Sequence, residues 1–185
     1  MINNILFVMW FFLPAGIANL IPVIMSNLPY IKKFSYPLDC NIKFRSKPLF
    51  GSHKTWRGLI SGIIFAIITL KLQVIIYNHN DWFRSLMTGI NYNNLPILEL
   101  GFLFALGALG GDALESLIKR QFNINPGKKW FPFDQIDYIL GGILTSSIVI
   151  TLSFTKYLWL LVIWLILHLI FSFFAYLFKL KDSPI

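Results

Sequence analysis

YLWLLVIWLILHLIFSFFAYLF, residues Tyr157 to Phe178, contains no charged side chain and is bounded by Lys156 and Lys179. A bilayer core about 30 Å thick is crossed by about 20 mostly apolar residues in a helix, so this run is read as a transmembrane helix. Working outward, four more stretches of similar length and polarity lie between polar connections, at about 4–28, 58–77, 95–118 and 136–154. The chain of 185 residues is 56% hydrophobic and only 13% charged, with a mean hydropathy of +0.67, which argues against a compact water-soluble domain. The expected architecture is an all-α integral membrane protein of five transmembrane helices in one domain, residues 1–185. The opening stretch lacks a basic leader and a small-residue cleavage site and is interrupted by Pro14 and Pro22, so it reads as a retained, bent helix rather than a signal peptide.

Charge gives the expected orientation. Thirteen of the sixteen basic residues fall between the first and second helices (Lys32, Lys33, Lys43, Arg45, Lys47, Lys54, Arg57), between the third and fourth (Lys119, Arg120, Lys128, Lys129), or in the tail (Lys179, Lys181). The positive-inside rule puts these loops and the C-terminus in the cytoplasm and the N-terminus outside, as an odd helix count requires. The net charge of +8 on so apolar a chain points to an anionic lipid surface or a phosphorylated substrate rather than nucleic acid. A single cysteine, Cys40, excludes an internal disulfide framework and cysteine-rich zinc modules. No feature fixes the oligomeric state. Gly58 and Gly62, Gly107 with Gly110 and Gly111, and Gly141 with Gly142 mark expected close helix contacts, or places where a ligand approaches the backbone.

The acidic residues are few and concentrated. Of eight, Asp112, Glu115, Asp134 and Asp137 fall within 26 residues that straddle the end of the third helix, a loop and the start of the fourth. Asp112, Glu115, Ser116 and Lys119 are spaced i, i+3, i+4 and i+7 and share one helical face; Asp134 and Asp137 share another. Ionisable side chains inside a membrane helix are costly unless they face a partner or a polar cavity, so the stripe is a candidate site. Taken singly, Asp134 as a cap, Asp137 as a dipole partner and Glu115–Lys119 as an i,i+4 pair would be ordinary helix features. Together, converging carboxylates suit a hard cation such as Mg²⁺, and Lys119, Arg120, Lys128 and Lys129 with the Asn125-Pro126-Gly127 turn suit phosphates. That combination describes phosphoryl or nucleotidyl transfer. No Walker A loop, dinucleotide fingerprint or catalytic triad is present.

A second basic constellation, residues 49–58, reads LFGSHKTWRG just before the second helix. Lys54, Arg57 and Trp56 could serve only the positive-inside bias and interfacial anchoring; alternatively His53, Lys54, Thr55 and Arg57 donate to phosphates, with Gly51 and Gly58 for tight turns. His53 as a metal ligand is disfavoured, since no second His or Cys lies at ligand spacing. His168 reads as a packing residue and His79 carries no signal. Asn19 is expected either to bond between helices or to line the entrance for a lipid phosphate.

Four motifs in order carry a family resemblance: Pro14-Ala15-Gly16-Ile17-Ala18-Asn19, the stretch Phe50 to Gly58, Gly111 to Arg120, and Pro132-Phe133-Asp134-Gln135-Ile136-Asp137. The pairing of S-x-x-K-R with D-x-x-D resembles membrane CTP:phosphatidate cytidylyltransferases, and over nearly the full length the chain looks closest to the short CDP-archaeol synthase branch. Gln135 stands where the longer enzymes carry Arg, and no H-G-G occurs, which favours the short branch. The resemblance implies that CTP and a membrane lipid phosphate are converted to a CDP-lipid and pyrophosphate with Mg²⁺. The lipid would be archaeal-type 2,3-di-O-geranylgeranylglyceryl phosphate or a phosphatidate-like analogue. It further implies Asp112, Asp134 and Asp137 as metal or catalytic carboxylates, with Lys119 and Arg120 facing the triphosphate. A role for Ser116, Lys128, Lys129, His53, Lys54, Arg57 and Asn19 in binding substrate extends that reading from the chemistry of the loops. The competing readings are a transporter of a phosphorylated solute, which should show paired repeats, and a non-catalytic membrane protein, which needs no such concentration of carboxylates.

Overall fold

The computed structural model describes residues 2–44, 47–125 and 128–178. Arg45, Lys179 and Lys181 of the cations expected on the cytoplasmic side, and Pro126-Gly127 of the expected turn, lie outside the described residues. Seven α-helices carry the fold among those described: α1 (Ile2–Phe11), α2 (Leu13–Asn27), α3 (Trp56–His79), α4 (Asp81–Leu86), α5 (Ile97–Gln121), α6 (Phe133–Ser146) and α7 (Phe154–Leu177). The only strands among the described residues form a two-residue antiparallel hairpin, β1 (Lys43–Phe44) with β2 (Lys47–Pro48), paired Lys43 to Pro48 and Phe44 to Lys47. The expected all-α chain is therefore a mostly helical one with a small hairpin between α2 and α3.

α3, α5 and α7 are long and apolar enough to cross a membrane, and α1 with α2 forms a fourth candidate span bent by 50°. The bend follows from Pro14, which has no N–H to give the Trp10 carbonyl one turn back. That carbonyl instead accepts from Gln73 Nε2 of α3 at 2.6 Å, so a buried polar side chain satisfies the group the proline frees. The segment expected to be helical over 136–154 is helical only over Phe133–Ser146. Its 14 residues rise about 21 Å, short of the roughly 30 Å hydrocarbon core. Ser147 turns its hydroxyl onto the carbonyl one turn back, donating to Ile143 O at 2.7 Å, and the Tyr157 hydroxyl accepts from Leu152 N at 3.0 Å, closing off the connection.

Small residues decide how the helices meet. Gly107 of α5 lies against the Thr145 hydroxyl and the backbone of Gly141 in α6, and Gly111 against the backbone of Asp137, so the two helices approach closely along these glycines. Thr145 Oγ1 donates to Leu103 O across the same contact at 2.7 Å. Gly62 of α3 faces Leu109 of α5 and the Ala18 carbonyl of α2, and Gly142 faces the Phe12 ring. Gly110, by contrast, has open space beside it. An aromatic core of Phe11, Phe12, Phe104, Tyr138 and Trp164 fills the centre in edge and tilted contacts. Trp164 Nε1 donates to Val8 O at 3.0 Å and ties α7 to α1.

Candidate active site

The α5–α6 contact fixes where the carboxylates meet. Asp112 and Glu115 share a face of α5, and because Gly111 packs on the backbone of Asp137, the first turns of α6 deliver that residue opposite them. Asp112, Glu115 and Asp137 each place one oxygen within 4.8 Å of the others. Glu115 Oε1 and Asp137 Oδ2 are buried and make no hydrogen bond. Buried carboxylate oxygens without a hydrogen bond are costly away from water, and the donor set, three carboxylates with no softer ligand, fits a hard divalent cation.

Asp134 is engaged otherwise. Its Oδ1 accepts from Lys119 Nζ and its Oδ2 from Trp130 N, both at 2.6 Å. Lys119 also lies 3.5 Å from Glu115 Oε1, so one buried ammonium links Asp134 to the edge of the carboxylate cluster. The i,i+4 Glu115–Lys119 pair and the anchoring of the first turn of α6 by Asp134 both exist, and both serve the site's geometry. Arg120 Nη1 donates to the Ile124 carbonyl and secures the end of α5.

From the other side, Lys54 Nζ reaches Asp112 Oδ2 at 2.5 Å. Thr55 Oγ1 accepts from Gly58 N at 3.2 Å and caps α3, while Arg57 Nη1 donates to Ile31 O at 3.1 Å. The sequence 50–58 is thus at once a helix start and the wall that presents Lys54 to α5. Lys47 Nζ, on β2, donates to the Gln121 carbonyl at 3.3 Å, joining the hairpin to the same end of α5.

These elements enclose a cavity of about 810 Å³. Asp112, Asp134, Asp137, Lys119, Ser116, Arg120, Lys128, Lys129, His53, Lys54, Arg57 and Asn19 all line it, so every candidate residue from the sequence faces one space. Pro22, Val23, Leu59, Leu106 and Leu109 add an apolar wall. His79, which carried no signal, stays away from it and bonds the Ile75 carbonyl at 2.8 Å.

Two residues line the site without having been singled out for it, and a third, Asp39, holds the loop beside it. Gln135, only 3% exposed, lines the cavity between the two aspartates of its motif, with Oε1 making no hydrogen bond. His168 lines it from α7, its ring 5.5 Å from that of Tyr138; one imidazole in an uncharged helix was its sole signal. Asp39, 6% exposed, accepts from Asn41 N, Phe50 N and Gly51 N at 3.0, 3.0 and 3.1 Å. Burial raises its pKa, but those backbone donors outweigh burial and hold the carboxyl below its ordinary value. Nothing local in the sequence marks Asp39, whose partners include residues eleven and twelve positions away.

The family pattern described as CarS-like CDP-archaeol synthase matches residues 1–185. A CDP-archaeol synthase of Pyrococcus furiosus is 32% identical over 184 residues, covering 98% of this chain and 99% of that one. Those of Thermococcus kodakarensis and Archaeoglobus fulgidus are each 30% identical, over 99% and 100% of this chain and 98% and 99% of theirs. A solved structure of an intramembrane enzyme for archaeal membrane lipid biosynthesis superimposes with a TM-score of 0.68 at 25% identity, over 91% of this chain and 94% of that one.

Proposed function

This chain belongs to the CarS-like CDP-archaeol synthase family and is a CTP-dependent lipid cytidylyltransferase of the membrane, and from that premise we propose that CTP and a lipid phosphate meet in the cavity between α2, α3, α5 and α6. The observation that carries this reading is the convergence of Asp112, Glu115 and Asp137 within 4.8 Å, beside Lys54 and Lys119, in one space lined by further cations. Family membership sets aside the transporter and the non-catalytic membrane protein.

Asp112, Glu115 and Asp137 would hold Mg²⁺, which when bound neutralises phosphate charge and polarises the α-phosphoryl group. Glu115 enters the ligand set in place of Asp134, whose task is to hold Lys119 against the cluster. Lys54, Lys128 and Lys129 face the triphosphate from the loops, and Lys119 from α5. The lipid phosphate enters past Asn19 and Ser116, its tails against the apolar wall of Pro22, Val23, Leu59, Leu106 and Leu109. One of its oxygens attacks the α-phosphorus of CTP. The new O–P bond forms as the bond from that phosphorus to the β-bridging oxygen breaks, and pyrophosphate leaves with the electron pair. A phosphate monoester with a second pKa of about 6 is already ionised at neutral pH, so no side chain has to remove a proton. Positioning and charge neutralisation carry the catalysis.

The membrane placement belongs to the same proposal. Residues 1–185 form one catalytic domain with five crossings, by α1 with α2, by α3, by α5, by α6 with its connection, and by α7, in the cytoplasmic membrane. The N-terminus lies outside, and the site opens to the cytoplasm where the basic loops gather. The family's name supports an ether-linked isoprenoid lipid over an ester-linked one, although an apolar groove accepts both kinds of tail. Turnover of archaetidic and phosphatidic acids with radiolabelled CTP tests the choice: faster CDP-lipid formation from the archaeal ether lipid is expected, and a preference for the acyl lipid would overturn it.

A further inference from the structure

The turn that carries Ser52 and His53 is held at both ends by one short strip of chain. At its start, Phe50 N and Gly51 N donate to Asp39 Oδ2 at 3.0 and 3.1 Å. At its end, Leu38 N donates to the Lys54 carbonyl at 2.7 Å, and Lys54 N closes the turn onto Gly51 O at 3.3 Å. Gly51 sits at φ +91°, a conformation that side chains disfavour, so the chain reverses there with its amide pointed at the carboxylate. Asp39 Oδ1 accepts from Asn41 N, which steadies the carboxylate itself.

No ion pair reaches Asp39 among the described residues, in a chain with twice as many basic as acidic side chains. A buried carboxylate that spends its oxygens on backbone amides is suited to shaping a loop rather than to neutralising a cation. Three residues beyond Gly51, that loop delivers the Lys54 ammonium to Asp112 Oδ2.

We propose that Asp39 is a positioning residue of the cytidylyl-transfer site, fixing the Phe50–Lys54 turn so that Lys54 stands against Asp112. The inference rests on the reading of the cavity as the site where CTP and lipid phosphate react. Asp39 touches neither substrate nor the carboxylate cluster; it acts through Lys54.

The test uses the full-length chain in detergent, with CDP-lipid formation measured against CTP for the wild type, Asp39→Ala, Lys54→Ala and the double variant. Asp39→Ala is expected to lower kcat/KM for CTP by about tenfold or more, the order lost with charge-assisted hydrogen bonds. The double variant should fall within about twofold of Lys54→Ala alone, because the two residues act as one unit. A single variant within about threefold of wild type, or losses that multiply in the double, would overturn the proposal. If Asp39→Ala fails to fold, Asp39→Asn, which keeps one acceptor oxygen, enters the same cycle. A second readout is independent of activity: trypsin cleavage after Lys54 and Arg57, mapped by mass spectrometry, should accelerate in Asp39→Asn without CTP. Unchanged cleavage would contradict the role of Asp39. A wild type that forms no CDP-lipid would count against the functional reading alone, and the protease arm would still decide whether Asp39 holds the loop.

Discussion

Lys54 Nζ and Asp112 Oδ2 stand 2.5 Å apart although 58 positions separate them in the chain. The pair joins the loop ahead of α3 to the carboxylate stripe of α5, and both groups border the same cavity. Lys54→Met keeps most of the aliphatic stem and removes the charge. It should lower kcat/KM for CTP by about 10-fold to 100-fold, as expected for a charge-assisted contact to a phosphate, while the melting temperature changes little because the pair is partly exposed. Radiolabelled-CTP kinetics and thermal melting in detergent check the two halves of that statement.

The different uses of Asp137 and Asp134 give a sharper contrast. Asp137 belongs to the three-carboxylate cluster, whereas Asp134 is occupied by Lys119 and Trp130 N. Asp137→Asn and Glu115→Gln should each raise the Mg²⁺ concentration for half-maximal activity by roughly tenfold or more. Asp134→Asn should leave that concentration nearly unchanged, lower kcat, and cost about 1–3 kcal/mol of stability, because the one remaining, uncharged acceptor oxygen cannot serve both Lys119 and Trp130 N. Magnesium titrations of the three variants, each paired with a melting curve, decide the assignment.

Helix contact predicts opposite outcomes for two glycines three residues apart. A methyl group on Gly107 would meet the Thr145 hydroxyl, which bonds Leu103 O, and the backbone of Gly141, which cannot yield without parting α5 from α6. Gly107→Ala should therefore cost about 1–3 kcal/mol and lower the melting temperature by several degrees. Gly110→Ala enters open space and should be neutral, or stabilising by up to about 1 kcal/mol from helix propensity. Melting curves of the two variants in one detergent provide the comparison.

Asp39 makes the loop sensitive to acid. Its folded pKa lies below the ordinary value of 3.8, because the amides of Phe50, Gly51 and Asn41 outweigh the effect of burial. A depressed carboxylate contributes stability above its unfolded pKa and loses it as pH falls through the folded value. A spin label at Ser52→Cys in a Cys40→Ser background should stay immobile from neutral pH down to about pH 4 and become mobile below it. In Asp39→Asn the label should be more mobile at neutral pH and show no such acid transition.

How much of this was legible in the sequence depended on whether the deciding contact was local. The uncharged run from Tyr157 to Phe178 became α7, and Pro14 announced the bend between α1 and α2. The end of α6 was overextended because part of what closes it is the Tyr157 hydroxyl, a partner beyond the segment itself. The stripe of Asp112, Glu115, Ser116 and Lys119 followed from helical spacing, and all twelve candidate residues face one cavity. Which carboxylates meet did not follow, because that depends on the rotation of α6 about its glycine contact, which turns Asp137 toward Asp112 and Asp134 toward Lys119. Asp39 was overlooked for the same reason: its role exists only once residues 37–39 lie alongside 50–55.

The central claim is that the Asp112, Glu115 and Asp137 cluster carries cytidylyl transfer to a membrane lipid phosphate. It is tested most directly with purified full-length chain, CTP labelled at the α-phosphate, Mg²⁺ and an archaeal ether-lipid phosphate. The wild type should move label into the lipid phase with one pyrophosphate released per CDP-lipid, and the Asp112→Asn, Asp137→Asn double variant, still folded by its melting curve, should form none above background. Robust CDP-lipid formation by that folded double variant would contradict the account.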